Sequence, residues 1–245
     1  MPSGFGGDWL TRHAYAHRGL HGSGVPENSL AAFEAAIARG YGIECDLLPS
    51  ADNRAVVFHD EDLQRLTGQA GSTRRTRVGE LTAMRLSGSD ETIPTLRDML
   101  ALVAGRVPLL LELKSVRGEH ISALCRAVRR DLEGYRGEVA VMSFDPRIPA
   151  WFAARMPHLP RGVVMTEENA RTLTGALRRW LALAKSRASF LAYDVRDLPS
   201  RFATRSGLPL LTWTVRSGAL LDAARGAGAA PIMEGPGVAA FEERS

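Results

Sequence analysis

The stretch GIECDLLPSADNRAVVFHDEDL, residues 42–63, indicates a buried β-strand that carries charged side chains. Apolar residues alternate there with Glu44 and Asp46, and side chains two residues apart in a strand point to the same face. Two carboxylates therefore share one face of an apolar element, and a second apolar run ends at His59. Like charges held this close destabilise a fold unless a cation lies beside them.

Similar short apolar runs recur along the chain and alternate with longer segments of helical period. The predicted strands are residues 13–17, 42–47, 107–113, 138–144, 161–166, 189–195, 208–215 and 230–234. Repeated βα units predict a parallel sheet, and eight of them predict a closed barrel. The expected fold class is therefore α/β, a (β/α)8 TIM barrel. A doubly wound open sheet is the alternative, but no G-x-G-x-x-G motif follows the first strand to favour it.

One segment departs from the βα rhythm. Residues 61–93 are polar, contain glycine and are too long for a simple βα loop. We interpret them as a small insertion after the second strand, folded over one end of the barrel. Since no linker divides the chain, we expect a single domain over residues 1–245 that includes this insertion.

Composition excludes several classes of protein. The chain has 245 residues, 45% of them hydrophobic, which is enough for a large core. The net charge of +4 favours anionic partners, but the basic residues lack the aromatic interleaving of a single-strand nucleic-acid groove, and no nucleic acid is expected. Cys45 and Cys125 are too few for a disulfide framework and are expected in the core.

No apolar run is long enough to cross a bilayer, so no integral membrane segment is expected. The first twenty residues lack the basic-then-apolar order of a signal peptide. A cytoplasmic protein is the resulting expectation.

In barrel enzymes the chemistry lies at the carboxyl ends of the strands, and polar residues concentrate at those positions here. Glu44, Asp46 and Glu112 supply three carboxylates from neighbouring predicted strands. Hard oxygen ligands of this kind suit Mg²⁺ or Ca²⁺ better than zinc. The alternative is that the acids pair with arginines on a solvated rim.

Other residues at the same strand ends offer acid-base and binding chemistry. His17 and His59 follow strand-like runs, and two histidines can divide the roles of base and acid near neutral pH. Arg18 and Lys114 suit the binding of a phosphate oxyanion or act as counterions to the acids. Trp213 is interpreted either as the floor of a small substrate site or as a filler of the barrel mouth.

Eight motifs, in order and over nearly the whole chain, resemble the glycerophosphodiester phosphodiesterase family. They are HRG (17–19), PENS (26–29), IECDL (43–47), VVFHDEDLQRLTG (56–68), IPTLRDML (93–100), LLLELK (109–114), SFD (143–145) and TWTV (212–215). Three positions depart from the usual pattern: Ser29 replaces a threonine, Arg216 an asparagine, and IMEGP a TDxP motif. The last two leave the choice of substrate open.

The resemblance implies a (β/α)8 barrel with a small insertion after its second strand and hydrolysis of glycerophosphodiesters to sn-glycerol 3-phosphate and an alcohol. It implies that the neighbouring glycerol hydroxyl attacks phosphorus to give a cyclic phosphate, which water then opens. The implied roles are metal ligation by Glu44, Asp46 and Glu112, acid-base catalysis by His17 and His59, and phosphate binding by Arg18 and Lys114. It does not say which histidine is the base.

Three alternatives stay open at this point. The same site fits a lysophospholipase D, in which the leaving alcohol differs, and a catalytically silent barrel would bind phosphorylated ligands. The basic run STRRTR (72–77) in the insertion suits either a solvated surface or weak contact with a membrane surface. The sequence does not predict the oligomeric state.

Overall fold

A computed structural model of the protein describes residues 9–115 and 120–244. The strands in these ranges are β1 (Tyr15–His17), β2 (Gly42–Pro49), β3 (Ala55–Val57), β4 (Leu109–Leu113), β5 (Val139–Ser143), β6 (Arg161–Met165), β7 (Phe190–Asp194), β8 (Leu210–Val215) and β9 (Ala230–Met233). The α-helices are α1 (Leu30–Ala38), α2 (Gln64–Thr67), α3 (Val78–Leu81), α4 (Leu96–Val103), α5 (Ser122–Asp131), α6 (Arg147–Arg155), α7 (Leu173–Ser186), α8 (Arg201–Ser206), α9 (Gly218–Gly226) and α10 (Pro236–Glu242). Two 3₁₀ helices are Thr73–Arg75 and Val195–Asp197.

The expected fold class is confirmed: eight strands alternate with helices in a closed parallel (β/α)8 barrel. Each of the eight predicted strands overlaps one of the observed barrel strands. The remaining strand, β3, is antiparallel to β2 and covers the apolar run that leads to His59. The described residues divide into two compact units, one from His17 to Glu138 and the other formed by the residues up to Ala16 and from Val139 onward. The single-domain description of residues 1–245 stays a prediction.

In the unit from His17 to Glu138, β2 pairs with β4 in parallel and with β3 on its other side. Every residue of β2 is buried. The side of β2 that carries Cys45 packs toward α4, where Cys45 Sγ lies 3.4 Å from Met99 Sδ. Because side chains alternate along a strand, Glu44 and Asp46 face the opposite side of the sheet.

The predicted insertion, residues 61–93, contains α2, the first 3₁₀ helix and α3. Its apolar side chains share a small core with β2 and β3. That core consists of Leu48, Val56, Phe58, Leu63, Leu81, Leu86 and Ile93. Within the basic run, Arg74 lies 3.1 Å from a Glu61 carboxylate oxygen, so part of its charge is neutralised locally. The account of this segment as an insertion stays a prediction.

In the other unit the strand order is β1-β9-β8-β7-β6-β5. One core cluster there joins β6, β7 and α8 through Val163, Met165, Leu191, Tyr193, Phe202 and Ala203. Ser200 caps α8, and its hydroxyl also donates to Glu167. These contacts anchor the segments that follow β6 and β7.

Two sequence expectations concern residues outside the strand ends. Cys45 and Cys125 are both buried free thiols, as expected of core residues. None of the described helices has the length and apolar composition of a bilayer-spanning helix.

Candidate active site

Strands β2 and β4 bring three buried carboxylates together. Asp46 and Glu112 are register partners on the two parallel strands, and Glu44 lies two residues before Asp46 on the same face. One oxygen from each carboxylate lies within 4.8 Å of the others. The three residues expected to meet therefore form one cluster, inside the fold rather than on a solvated rim.

The turn after β1 places two more of the predicted residues against this cluster. His17 Nε2 lies 3.9 Å from Glu44 Oε2, and the Arg18 backbone N–H donates to the same oxygen at 3.1 Å. Gly19 has φ +78°, and a Cβ there would lie 2.8 Å from Ala32 Cβ on α1. Glycine lets the turn close against α1, and the closed turn aims His17 and Arg18 at the carboxylates.

Two cations neutralise part of the negative charge. Lys114 Nζ lies 2.9 Å from Asp46 Oδ1 and 2.7 Å from Glu112 Oε1. The Arg18 side chain reaches Asp46 through Nε at 3.2 Å and donates from Nη1 to Glu27 at 2.8 Å. Both residues, expected to bind phosphate or to act as counterions, are ion-paired with the acids in this structure.

The carboxylates differ in their tendency to ionise. Burial and the neighbouring charges of Asp46 and Glu112 raise the pKa of Glu44 well above its usual value. Burial also acts to raise the pKa of Asp46, but Lys114, Arg18 and His59 outweigh it and lower that pKa to about 2. The two nearby cations thus outweigh the effect of burial on the pKa of Asp46 but not on that of Glu44. A further cation would therefore stabilise the ionised form of Glu44.

His59 follows β3 and is held by Asp60. His59 Nδ1 lies 2.6 Å from Asp60 Oδ1, and the other oxygen of Asp60 accepts a hydrogen bond from Arg65 Nε. Although burial opposes it, hydrogen bonds from Arg65 and His59 lower the pKa of Asp60. An ionised Asp60 favours the tautomer of His59 that carries its proton on Nδ1, which leaves Nε2 available as a base.

Arg65 extends this contact back toward the carboxylate cluster. Its Nη2 donates to Glu27 Oε1 at 2.8 Å, and Glu27 also accepts from Arg18. A continuous network of ion pairs therefore runs from His59 to Asp46. The roles of Glu27, Asp60 and Arg65 were not predicted, because the sequence does not show which distant residue a charged side chain pairs with.

Asn28 is a further residue that the sequence did not single out. Its Nδ2 donates to Asp46 Oδ2 at 3.0 Å, and its Oδ1 accepts from the Asp46 backbone N–H at 3.3 Å. Asn28 has φ +57° and directly precedes Ser29, whose side chain caps α1 by accepting from the Ala32 backbone N–H. The motif PENS offered the signal, because asparagine tolerates this left-handed conformation better than most residues.

Trp213 lies on β8, in the other unit. Its Nε1 donates to the Ala192 carbonyl at 3.1 Å, and its ring meets the ring of Phe144 edge to face with centroids 5.4 Å apart. Phe144 is 48% exposed, so this aromatic pair borders solvent. The role of Trp213 in substrate binding stays a prediction.

The carboxylate cluster fits a divalent cation. Glu44, Asp46 and Glu112 offer three hard oxygen donors at a spacing that one ion can bridge, and burial together with the charges of Asp46 and Glu112 raises the pKa of Glu44. A bound Mg²⁺ or Ca²⁺ would relieve that repulsion and compete with Lys114 for Asp46 and Glu112.

Comparison with known proteins gives consistent matches. The model of the Glycerophosphoryl diester phosphodiesterase family matches residues 17–233. A glycerophosphodiester phosphodiesterase of Bacillus altitudinis is 33% identical over 61% of this chain and 65% of its own length, so the chain spans just under two thirds of that relative. A Mycobacterium tuberculosis protein named Probable glycerophosphodiester phosphodiesterase 2 is 31% identical over 82% of this chain and 72% of its own length.

A solved structure shares the fold. An Oleispira antarctica phosphodiesterase, solved in complex with its product sn-glycerol-3-phosphate, aligns with a TM-score of 0.78 and 23% identity. The alignment covers 94% of this chain and 96% of that chain.

Proposed function

The chain belongs to the glycerophosphoryl diester phosphodiesterase family, and on this premise we propose that it hydrolyses glycerophosphodiesters to sn-glycerol 3-phosphate and an alcohol. The observation that carries the proposal is the buried cluster of Glu44, Asp46 and Glu112, with His17 3.9 Å from Glu44. A buried acidic cluster beside a histidine suits metal-assisted hydrolysis of a phosphodiester. The named relatives and the product complex of the Oleispira enzyme support the same reaction class.

We assign metal binding to the three clustered carboxylates. Glu44, Asp46 and Glu112 would hold one Mg²⁺ or Ca²⁺, since all three supply oxygen and none of them is a thiolate or imidazole. The ion, when bound, would supply positive charge that stabilises the developing charge on the phosphoryl oxygens. Asn28 supports the site by fixing Asp46 through two hydrogen bonds.

We assign acid-base catalysis to His17 and His59. The neighbouring glycerol hydroxyl attacks phosphorus while one histidine takes its proton, and the other histidine protonates the departing alkoxide to give the alcohol and a cyclic phosphate. Water then opens the ring with the roles of the two histidines reversed. The contact with Asp60 orients His59 through Nδ1, and on this geometry we assign His59 as the base of the first step.

Arg18 and Lys114 complete the proposed site. In the structure both are ion-paired with the acids, and burial lowers the pKa of Lys114 less than Asp46 and Glu112 raise it, so that it stays charged. With a cation held by the acids, Arg18 and Lys114 would be free to donate to the substrate phosphate. Trp213 would bind the glycerol end of the substrate or the leaving alcohol.

The experiment is product analysis with the purified protein. Glycerophosphocholine and a lysophosphatidylcholine are supplied separately, and glycerol 3-phosphate and lysophosphatidic acid are quantified. We expect glycerol 3-phosphate from glycerophosphocholine; lysophosphatidic acid alone would assign the chain to the lysophospholipase D reaction instead. The His17→Ala variant should lose roughly 100-fold or more of the rate, whereas His158→Ala, at an exposed histidine, should retain it.

A further inference from the structure

Helix α7 exposes an apolar face to solvent, although the apolar face of a surface helix is usually buried. Five large apolar side chains are exposed in the described part of the chain, and four of them lie on α7: Leu173 (92% exposed), Leu177 (59%), Trp180 (41%) and Leu181 (60%). At 3.6 residues per turn these four positions fall within an arc of about 100° on one helix face. The result is a continuous apolar stripe that faces solvent.

The opposite side of α7 is the one that packs on the protein. Ala182 and Leu183 contact the core cluster of β6, β7 and α8, and Gly175 and Ser186 are buried. The packing therefore fixes the rotation of α7, and the apolar stripe is a surface feature of the folded chain.

Basic side chains border the stripe on both sides. On one side, a cavity of ≈ 560 Å³ between α7 and α8 adjoins Trp180 and is lined by Arg171, Arg179, Arg196, Arg201 and Arg205. On the other side, Arg178 and Lys185 are exposed on α7 itself. An apolar helix face between rows of basic residues is typical of helices that lie at a lipid–water interface.

Several of these arginines are not neutralised by the protein. Arg171 and Arg196 are paired with Asp197 and Asp194, and Arg179 Nη2 lies 3.6 Å from Glu167. Arg178, Arg201 and Arg205, by contrast, have no carboxylate within ion-pair distance in the part of the chain that the structure describes. The border of the stripe thus carries excess positive charge.

We propose that the α7 surface, formed by Leu173, Leu177, Trp180 and Leu181 with Arg178, Arg201 and Arg205, docks on an anionic phospholipid bilayer. The leucines enter the boundary between headgroups and acyl chains, Trp180 lies at the headgroup level, and the arginines bind lipid phosphates. Charge favours this occupant over a second copy of the chain, because a symmetric dimer would set the same arginines against one another.

The test of this docking does not depend on the proposed activity, because vesicle binding is measured without substrate. The purified protein is floated with vesicles of phosphatidylcholine alone and of phosphatidylcholine mixed with phosphatidylglycerol. The first variant is Leu177→Gln/Leu181→Gln and the second is Arg201→Gln/Arg205→Gln. Arg126→Gln/Arg129→Gln, at two exposed arginines of α5, is a control with the same change in charge.

We expect binding to the phosphatidylglycerol vesicles and little binding to phosphatidylcholine alone. Each double variant of the α7 surface should reduce binding roughly tenfold or more, because each basic group near an anionic surface contributes about fivefold and each buried leucine at least as much. The control variant should bind like the unchanged protein, and all variants should keep its thermal midpoint.

Two results would overturn the proposal. The first is that the protein does not bind the vesicles, or binds them equally well in the α7 variants. Equal binding would mean that another surface, such as the basic run 72–77, contacts the membrane. The second is a dimer in analytical ultracentrifugation that Leu177→Gln/Leu181→Gln converts to monomer without any vesicle binding, which would make a second copy the occupant of the stripe.

Discussion

Asp46 of β2 and Glu112 of β4 are direct register partners on adjacent parallel strands, and Lys114 Nζ bridges them at 2.9 and 2.7 Å. Two carboxylates at the same level of neighbouring strands cannot separate without breaking the sheet. The fold therefore holds the acids together, and whichever cation lies between them contributes to stability as well as to chemistry.

Neutralising Glu112 should affect metal-dependent activity much more than the stability of the fold. We expect Glu112→Gln to lower activity by more than about 100-fold, because changing even a residue that supports a metal ligand costs about 10–100-fold. In a chelator its stability should change little, since the substitution removes like-charge repulsion but also weakens the ion pair with Lys114. Thermal melts with and without Mg²⁺ or Ca²⁺ check this, with the exposed Glu80→Gln on α3 as the control. A large loss of stability in chelator would contradict it.

Asp60 should act through His59. Asp60→Asn removes the carboxylate that accepts from Nδ1 of His59, so we expect kcat to fall about 10–100-fold, as for other residues that orient a catalytic or ligand histidine. The exposed Asp90→Asn variant serves as control. An unchanged kcat would show that Asp60 does not act through His59.

Asn28 should contribute to the free energy of unfolding through both its side chain and its backbone conformation. Asn28→Gly keeps the left-handed conformation but removes the donor to Asp46, so we expect a loss of about 1–3 kcal/mol in the free energy of unfolding. Asn28→Ala adds the strain of φ +57°, about 1–2 kcal/mol more. Urea unfolding of both variants checks the order. Equal stability of the two would contradict the backbone contribution.

Asp197 should make stability depend on acid pH. Burial acts to raise the pKa of Asp197, but the Glu167 backbone N–H, Arg171 and Thr166 outweigh it and hold the pKa below its usual value. A carboxyl whose pKa is lower in the folded state stabilises above its unfolded pKa of about 3.9, and this contribution is lost as pH falls through the folded pKa. Asp197→Asn should therefore cost on the order of 2 kcal/mol at neutral pH and progressively less below about pH 4. Denaturant unfolding from neutral to acid pH measures it, and a pH-independent difference would exclude this role.

The sequence predicted those features that a repeating pattern encodes. Alternation at residues 43–47 placed Glu44 and Asp46 on one face, and eight apolar runs gave the barrel strands. Side-chain partners from distant segments follow no such pattern, which is why the contact of Asn28 with Asp46 was missed. Periodicity also predicted helical segments between the strands but did not show that the apolar stripe of α7 faces solvent, because that depends on which side of the helix packs against α8 and the sheet.

The measurement that tests the central proposal most directly is a metal titration of activity. Glycerophosphocholine hydrolysis is followed in chelator-treated protein as Mg²⁺ or Ca²⁺ is added, in the unchanged protein and in Glu112→Gln. We expect no turnover without metal, saturable recovery in the unchanged protein, and recovery in Glu112→Gln only at much higher metal concentration or not at all. Turnover that persists in chelator, or equal metal dependence in both proteins, would contradict the assignment of Glu44, Asp46 and Glu112 as a catalytic metal site.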